Sequence, residues 1–192
     1  SVDVQPDECY HLAAQSFVSI SFEDEFSTMQ TNINGTHYLL AALKDSYPEC
    51  RFYFAGSSEM FGKQGGIANE DTIFYPCSPY GVSKALAHRA ADRFRKNEGL
   101  FIASGILYNH ESPLRPTTFV TRKITNGAAR IKLGLSSELV LGNLDARRDW
   151  GFAGDYVEAM WKMLQTDTAD DFVVATGETH SVLDFVTTAF NF

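Results

Sequence analysis

The fold is decided by an apolar run with a polar end, Arg51-Phe52-Tyr53-Phe54-Ala55 followed by Ser57-Ser58-Glu59. Aromatic residues in such a run favour a β-strand, and the polar residues mark the carboxyl end of that strand. A helix is predicted downstream at residues 78–97, because apolar side chains recur there at helical spacing. The face of this helix that we expect to be buried carries Tyr80, Lys84, Ala87, Ala91 and Phe94.

Strands and helices alternate along the rest of the chain as well. Further strands are predicted at residues 8–14, 101–107 and 172–175, and further helices at residues 28–44 and 120–131. Asp155 is expected to be the N-cap of another helix, and Ser181 with Asp184 to form the capping box of the last one. The helix at residues 28–44 should pack through Met29, Ile33, His37, Leu40 and Leu43. This order implies right-handed crossovers and an α/β fold with a mainly parallel sheet.

Three unrelated segments follow predicted strands, at residues 12–16, 57–59 and 109–112. Ligands of open parallel sheets bind beyond the carboxyl ends of the strands. We therefore expect the three segments to converge on one edge of the sheet and to form the functional site there.

Tyr80 and Lys84 are four residues apart and so share one face of the predicted helix. An ammonium beside a tyrosine stabilises the phenolate and lowers a pKa that starts near ~10, so that the tyrosine can act as a base near neutrality. Ser57 and Glu59 would supply a hydroxyl and a carboxylate for a second proton transfer. A surface tyrosine and a solvated lysine share this spacing by chance in many proteins, and only the combination with residues 57–59 favours catalysis.

Length and composition restrict the class of protein. A chain of 192 residues fits a single domain with its own core. The net charge of −8 and the pI near 5.0 argue against nucleic acid as the main partner. The three cysteines lack the close spacing of a metal site and suggest free thiols in a reducing compartment. Without a membrane-length apolar run or a signal-peptide pattern, we expect a cytoplasmic protein that binds no membrane.

Longer motifs extend the pattern of residues 57–59, Tyr80 and Lys84. They are the turn at 12–16 (Leu-Ala-Ala-Gln-Ser) and the segments at 109–113 (Asn-His-Glu-Ser-Pro), 119–123 (Phe-Val-Thr-Arg-Lys), 142–151 (Gly-Asn-Leu-Asp-Ala-Arg-Arg-Asp-Trp-Gly), 155–161 and 175–182. Together they resemble the extended short-chain dehydrogenase/reductases and, within them, the GDP-mannose 4,6-dehydratases. The resemblance implies a partial Rossmann-type fold, with a doubly wound, mainly parallel sheet and flanking helices.

The resemblance also implies a reaction, the conversion of GDP-mannose to GDP-4-keto-6-deoxymannose with tightly held NADP. Tyr80 as a phenolate would take the proton of the sugar 4-hydroxyl while the C4 hydride passes to NADP⁺. The new ketone makes the C5 proton acidic, and Glu59 would remove it before water leaves C6 and the hydride returns there. Ser57 would hydrogen-bond the sugar oxygen, and Lys84 would hold the nicotinamide ribose.

Binding residues carry over from the same motifs. Those implied to contact NADP are Leu12, Ala13, Ala14, Gln15, Ser16, Tyr80, Lys84, His110 and Arg115. Those implied to contact the GDP-sugar are Ser16, Ser57, Glu59, Asn109, Val120, Lys123 and Arg148. Two cations, Lys123 and Arg148, suit a diphosphate, which an arginine can engage in a bidentate manner.

The chain resembles only the central portion of this family. The family's N-terminal strand, Gly-rich turn and helix are expected to be missing, because no Gly-x-x-Gly-x-x-Gly pattern occurs. The family's C-terminal part is expected to be missing too, because the sequence ends at Phe192. The strand at residues 8–14 would then be an exposed sheet edge, which predicts dimerisation through that edge or aggregation. Members of the family form homo-oligomers, either dimers or tetramers.

Two other functions stay open from the sequence. A nucleotide-sugar epimerase or reductase would use the same fold, but Glu59 beside Ser57 and the motif at 109–113 argue against it. A catalytically inactive truncated domain would keep the fold without turnover, and the lack of a Gly-rich turn supports that alternative.

Overall fold

The structure is a computed structural model that describes residues 4–63 and 66–191. Its strands β1 to β8 are Glu8–His11, Arg51–Ala55, Ile102–Leu107, Asn109–Glu111, Arg147–Arg148, Trp150–Phe152, Asp171–Val174 and His180–Ser181. Its helices α1 to α7 are Val18–Glu23, Glu25–Met29, Gly35–Ser46, Pro79–Glu98, Val120–Lys132, Ala153–Met163 and Val182–Phe190. A π-helical turn spans Gln30–Asn34, and a 3₁₀ turn spans Ser58–Met60.

The chain folds into two compact units, of which the first contains the described residues up to Leu107 together with Val157–Val174. Its sheet has four parallel strands in the order β1-β2-β3-β7. The two inner strands, β2 and β3, bury nearly all of their residues, as parallel strands covered on both faces do. The predicted α/β fold with a mainly parallel sheet and flanking helices is therefore confirmed.

Helix α4 forms where the sequence predicts it, and its ends explain why. Ser78 is the N-cap and accepts the Gly81 N–H, Pro79 occupies the first helical position, and Gly99 ends the helix at a φ of 74°. All five residues of the predicted inner face are buried: Tyr80, Lys84, Ala87, Ala91 and Phe94. The helix packs with α3 against β2 and β3 in one apolar cluster.

The second unit contains residues 108–156 and the described residues from Ala175 onward. Strand β4 pairs in parallel with β6, and β5 pairs antiparallel with β8. Helix α7 starts with the predicted capping box, in which Ser181 and Asp184 each bond the other's backbone N–H. The single domain that we expect from the length of the chain stays a prediction.

Three predicted element boundaries are wrong. Strand β1 ends at His11, so residues 12–14 belong to the following turn. Helix α6 begins at Ala153, which puts Asp155 in its first turn and not at the N-cap. Residues 109–111 form strand β4 in the second unit and are not part of a loop.

The helix predicted at residues 28–44 is longer and buries a different face. Helical backbone runs from Glu25 to Ser46, with the π-helical turn in its middle. Leu40 and Leu43 are buried as predicted, but His37 is exposed. The other buried positions are polar: Thr28, Asn32 and Thr36. A π turn inserts a residue into the helix and rotates the segment before it, which a fixed helical period cannot anticipate.

No helix among residues 4–63 and 66–191 is both long and apolar enough to cross a membrane.

A partly buried ion cluster connects β7 to α4 in the first unit. The Asp171 carboxylate lies 2.8 Å from His88 Nε2 and 2.9 Å from Arg95 Nη1. Burial alone would raise the pKa of Asp171, but the hydrogen bonds and charges of His88 and Arg95 outweigh it and lower that pKa to about 2. The carboxylate therefore stabilises the folded state at neutral pH.

Asp171→Asn should lower the free energy of unfolding by about 2 kcal/mol at pH 7, as the pKa difference between folded and unfolded states implies. Because the pKa is lowered on folding, this contribution is present above about pH 4 and is lost as the pH falls towards 2. Urea unfolding measures it, with Asp167→Asn at an exposed position as the control. Equal midpoints for Asp171→Asn and the unaltered protein at pH 7 would contradict the assignment.

Candidate active site

The turn after β2 carries two of the predicted catalytic residues. Ser57 is buried, and its backbone is extended just after the end of the strand. Its hydroxyl accepts a hydrogen bond from the Glu59 N–H at 3.2 Å. This bond caps the 3₁₀ turn that holds Glu59, whose side chain is half-buried. Both side chains therefore lie at the carboxyl edge of the parallel sheet, as the sequence predicted.

The first turn of α4 packs directly against this turn. A Cβ atom built on Gly81 would lie 2.7 Å from the Glu59 carbonyl oxygen and 3.1 Å from Pro76 Cβ. Only glycine fits between these groups, so any larger residue would push the helix away from the turn. Glycine at this position brings the backbone that carries Tyr80 against the backbone that carries Glu59.

Tyr80 is 8% exposed and sits at the second position of α4. Its backbone N–H donates to Ser21 Oγ at 3.1 Å, and the Ser21 hydroxyl donates in turn to the Val18 carbonyl at 2.6 Å. Pro79 has no N–H and the Gly81 N–H is capped by Ser78, so these bonds satisfy the free donors of the helix start. The start of the helix is thereby fixed to α1.

Lys84 lies one turn further along α4 and is 5% exposed. Its ammonium donates to the Ala55 carbonyl at 3.0 Å and lies 5.5 Å from the centre of the Phe54 ring. Burial lowers the pKa of Lys84 to about 8. The ammonium is therefore charged at neutral pH and sits at the carboxyl end of β2.

The turn at residues 12–16 follows β1 at the same edge of the sheet. Leu12, Ala13 and Ser16 are exposed, whereas Ala14 and Gln15 are half-buried. The Gln15 side chain closes the turn, since its Oε1 accepts the Phe17 N–H at 2.6 Å and its Nε2 donates to Thr28 Oγ1 at 3.0 Å. The exposed residues leave one side of the turn open to a ligand.

A buried asparagine from the π-helical turn connects this segment to α4. Asn32 Oδ1 accepts the Gln15 N–H at 2.9 Å, and Asn32 Nδ2 donates to the Gln15 carbonyl at 3.1 Å and to Ser83 Oγ at 2.9 Å. The Ser83 hydroxyl then donates to the Tyr80 carbonyl at 2.7 Å. The amide thus links the predicted cofactor turn to the helix that carries Tyr80 and Lys84.

His11 at the end of β1 is neutral at physiological pH. Burial, helped by the charge of Lys84, lowers the pKa of His11 to about 4. Its Nε2 lies 2.9 Å from the hydroxyl of Thr36, which donates to the Asn32 carbonyl at 2.7 Å. The ring is therefore a packing and hydrogen-bonding group, and Lys84 keeps the positive charge at this edge.

The sequence prediction missed Ser21, Asn32 and Ser83, which hold the site together. Thr28, Asn32 and Thr36 recur every four residues, and a search for buried polar residues at helical spacing would have found them. Ser21 and Ser83 carry no such signal, because a serine on a helix is usually solvated.

The other predicted binding residues lie in the second unit. Asn109 and His110 begin β4 and are half-buried. His110 Nδ1 donates to the Tyr108 carbonyl at 2.9 Å, and its ring stacks on Tyr156 with centroids 4.8 Å apart. Asn109 and His110 thus project from a strand that pairs with β6 and not from a loop.

Arg115 is held by its neighbours in the same unit. Its Nε lies 3.3 Å from the Glu111 carboxylate, and its guanidinium carbon lies 3.6 Å from the centre of the Phe119 ring. Glu111 also accepts the Thr121 hydroxyl at 2.7 Å. The guanidinium is therefore oriented by an ion pair that neutralises part of its charge.

Val120, Lys123 and Arg148 complete the predicted set. Val120 is the first residue of α5, and the exposed Lys123 follows one turn later. Lys123 lines a cavity of about 280 Å³ together with Asn126, Arg130, Glu138 and Leu139, and Arg148 is not part of that lining. Arg148 is exposed on β5.

Comparison with known proteins gives the family. A sequence model described as GDP-mannose 4,6 dehydratase matches residues 2–192. The chain belongs to the GDP-mannose 4,6-dehydratase family. It is 51% identical over 193 residues to GDP-mannose 4,6 dehydratase 2 of Arabidopsis thaliana and 50% identical over 191 residues to the GDP-mannose 4,6 dehydratase of Homo sapiens. Each alignment covers 98% of this chain but only 52% and 51% of those proteins, so the chain spans about half the length of these curated relatives.

Solved structures agree with the fold that the family implies. RMD from Pseudomonas aeruginosa, complexed with NADPH, superposes with a TM-score of 0.91 at 29% identity, covering 97% of this chain and 64% of that chain. DesIV, a dTDP-glucose 4,6-dehydratase from Streptomyces venezuelae, gives a TM-score of 0.87 at 22% identity, covering 96% of this chain and 56% of that chain. The second likeness shows the fold alone. The two together support a Rossmann-type fold for this chain.

Metal ligands are not grouped in the described part of the chain. No three His, Cys, Asp or Glu side chains among residues 4–63 and 66–191 come together in a way that could hold a metal ion.

The buried charge of Lys84 should be measurable without any ligand. The pKa of Lys84 is lowered on folding to about 8 from its usual value of 10.5, so the folded state binds fewer protons between these values and becomes more stable as the pH rises. Relative to Lys84→Met, the unaltered protein should gain up to about 3 kcal/mol of unfolding free energy between pH 8 and 10.5. Denaturant titrations at both pH values measure this difference.

Lys162→Met is the matched control, because Lys162 is exposed and its pair with Glu158 is a surface pair. That variant should show the same pH dependence as the unaltered protein. A pH-independent difference between the unaltered protein and Lys84→Met would contradict the burial of the ammonium as a charged group.

Proposed function

We propose that this protein dehydrates GDP-mannose to GDP-4-keto-6-deoxymannose by moving one hydride from C4 to C6 of the same sugar. The observation that carries the proposal is the packing of the Glu59 turn against the first turn of α4, which carries Tyr80 and Lys84. A dehydrogenase or epimerase needs a tyrosine base but no carboxylate to remove a proton from C5. Membership of the dehydratase family supports the same reaction.

NADP is the cofactor we propose, and the residues present fit it. The Lys84 ammonium has three donor protons, and the acceptor that the described residues provide is the Ala55 carbonyl. A nearly buried ammonium with spare donors at the carboxyl edge of a parallel sheet suits the hydroxyls of a nicotinamide ribose. When bound, NADP supplies the hydride acceptor and, later, the hydride donor. The NADPH in the RMD structure, a neighbour at 29% identity, supports this choice.

We assign the proton-transfer steps to residues of the first unit. Tyr80 takes the proton of the sugar 4-hydroxyl, and the Lys84 charge favours the phenolate that this requires. Ser57 donates a hydrogen bond to the same sugar oxygen, which lowers the barrier as the ketone forms. Glu59 would then remove the C5 proton, whose acidity comes from the neighbouring ketone, and a general acid would protonate the C6 hydroxyl so that it leaves as water. Return of the hydride to C6 would be completed by a proton from solvent at C5.

The second unit carries ligand-binding residues of its own in this proposal. Lys123 and Arg148 hold the diphosphate, while Asn109 and Val120 contact the GDP-sugar. His110 and Arg115 are assigned to NADP. In the first unit, residues 12–16 are assigned to NADP as well, and Ser16 also to the sugar nucleotide. A planar guanidinium and an ammonium are the usual partners of phosphate oxygens.

The assembly and compartment that we propose follow the family. We propose a homo-oligomer, a dimer or tetramer, in the cytoplasm. The three cysteines are free in the structure, as a reducing compartment would keep them.

Mass spectrometry of GDP-mannose incubated with the protein and NADP⁺ tests the reaction. We expect a product lighter than the substrate by one water. Glu59→Gln and Tyr80→Phe should each reduce the rate by at least ~100-fold, because each removes a proton-transfer group.

Tyr75→Phe and Glu158→Gln are the matched controls, because both residues are exposed and neither belongs to the proposed site. Both variants should keep the rate of the unaltered protein. Unchanged substrate with the unaltered protein, or full activity of Glu59→Gln, would sink the proposal.

A further inference from the structure

Two adjacent arginines on β5 have different surroundings. Arg147 is fixed, since its Nε donates to Thr179 Oγ1 at 3.2 Å and its Nη2 donates to the Thr179 carbonyl. Within the described part of the chain, the side chain of the exposed Arg148 bonds locally, through Nη1 to the Arg147 carbonyl at 2.8 Å. No carboxylate of residues 4–63 or 66–191 forms an ion pair with Arg148. Its charge is therefore available to an anion.

The next residue, Asp149, is 4% exposed and uses both carboxylate oxygens inside the protein. Oδ1 accepts the Thr176 N–H at 3.0 Å, and Oδ2 accepts the Gly177 N–H at 2.8 Å. Hydrogen bonds from backbone N–H groups to a carboxylate are about twice as strong as those between neutral groups. The buried carboxylate thus fastens the end of β5 to the turn at Thr176 and Gly177.

Strand β5 depends on this attachment because its own pairing is short. Only Arg147 and Arg148 pair with β8, opposite Ser181 and His180. On the side before the strand, the Ala146 carbonyl accepts the Val182 N–H at 3.0 Å. On the side after it, the two bonds of Asp149 are the corresponding attachment. Without them, the chain after β5 is next held at Trp150, where β6 pairs with β4, and the backbone between Arg148 and Trp150 loses its link to Thr176 and Gly177.

We propose that Asp149 is a positioning residue for sugar-nucleotide binding. Its two hydrogen bonds to the N–H groups of Thr176 and Gly177 hold Arg148 where the guanidinium meets the diphosphate. This inference rests on the proposed function, since it takes Arg148 as a ligand of the diphosphate. Asp149 itself does not touch the substrate.

The direction in which Asp149→Asn changes the affinity for GDP distinguishes a positioning role from a purely electrostatic one. Asp149 is negative and adjacent to Arg148, so removal of its charge alone would strengthen the binding of an anionic diphosphate. Loss of these hydrogen bonds weakens GDP binding instead. An asparagine at position 149 has one acceptor oxygen for the two N–H donors of Thr176 and Gly177, so it cannot replace both carboxylate oxygens. Asp149→Asn should therefore weaken GDP binding although it removes a negative charge.

A double-mutant cycle measured by calorimetry with GDP tests this inference. Arg148→Ala and Asp149→Asn should each raise the Kd for GDP by about tenfold, a loss typical of one charge-assisted hydrogen bond. If Asp149 acts through Arg148, the double variant should bind GDP within about twofold of Arg148→Ala alone. In turnover of GDP-mannose, Asp149→Asn should raise KM and leave kcat nearly unchanged, as expected when binding is lost equally in the ground and transition states.

Gly177→Ala is the second variant, because it keeps the charge of Asp149. Gly177 has a φ of 85°, where a side chain strains the turn that donates to Asp149. This variant should also raise the Kd for GDP, and the increase should disappear in the Arg148→Ala background. It keeps the inference testable if Asp149→Asn does not fold.

Other outcomes overturn the inference. Losses that multiply in the double variant, or tighter GDP binding by Asp149→Asn, exclude positioning through Arg148. If the protein turns over GDP-mannose but Arg148→Ala does not change its affinity for GDP, this inference is overturned and the proposed function stands. A protein that neither binds GDP nor turns over GDP-mannose refutes both.

Discussion

One buried amide connects the parts of the first unit on which the proposed chemistry depends. Asn32 pairs with both the N–H and the carbonyl of Gln15 and also donates to Ser83, the residue before Lys84. Breaking such an arrangement leaves polar groups unpaired in the interior at a cost of about 1–3 kcal/mol each. The turn after β1 and the helix that carries Tyr80 are therefore held in one arrangement before any ligand binds.

Lys84 shows the cost that accompanies this arrangement. Its ammonium is nearly buried, which lowers its pKa to about 8 and makes the folded state less stable at neutral pH than an apolar residue would. The same burial makes its charge more effective, because Coulomb interactions strengthen as water is excluded. His11 does not compete for that role, since its own pKa is lowered to about 4.

The apolar pattern of the sequence was sufficient to predict the parallel sheet and the inner face of α4. Tyr80 and Lys84 were found because a chemical motif lies on that face. Asn32 and Asp149 were not found as structural residues, because their roles depend on backbone groups distant in sequence, at Gln15 and at Thr176. The buried face of the helix around the π-helical turn was wrong for a related reason, since its contacts are polar and the turn shifts its period. Motifs thus identified the groups that we propose to react, but not the hydrogen bonds that hold them.

The fates of the C4 and C5 hydrogens of GDP-mannose test the account most directly. GDP-mannose with deuterium at C4 should give a product that carries this deuterium at C6, as read by NMR, because in the proposed reaction the hydride stays within the protein. In heavy water, unlabelled substrate should acquire one deuterium at C5, and Glu59→Gln should abolish that incorporation. Release of the C4 label into solvent, or C5 exchange that persists in Glu59→Gln, would contradict the account.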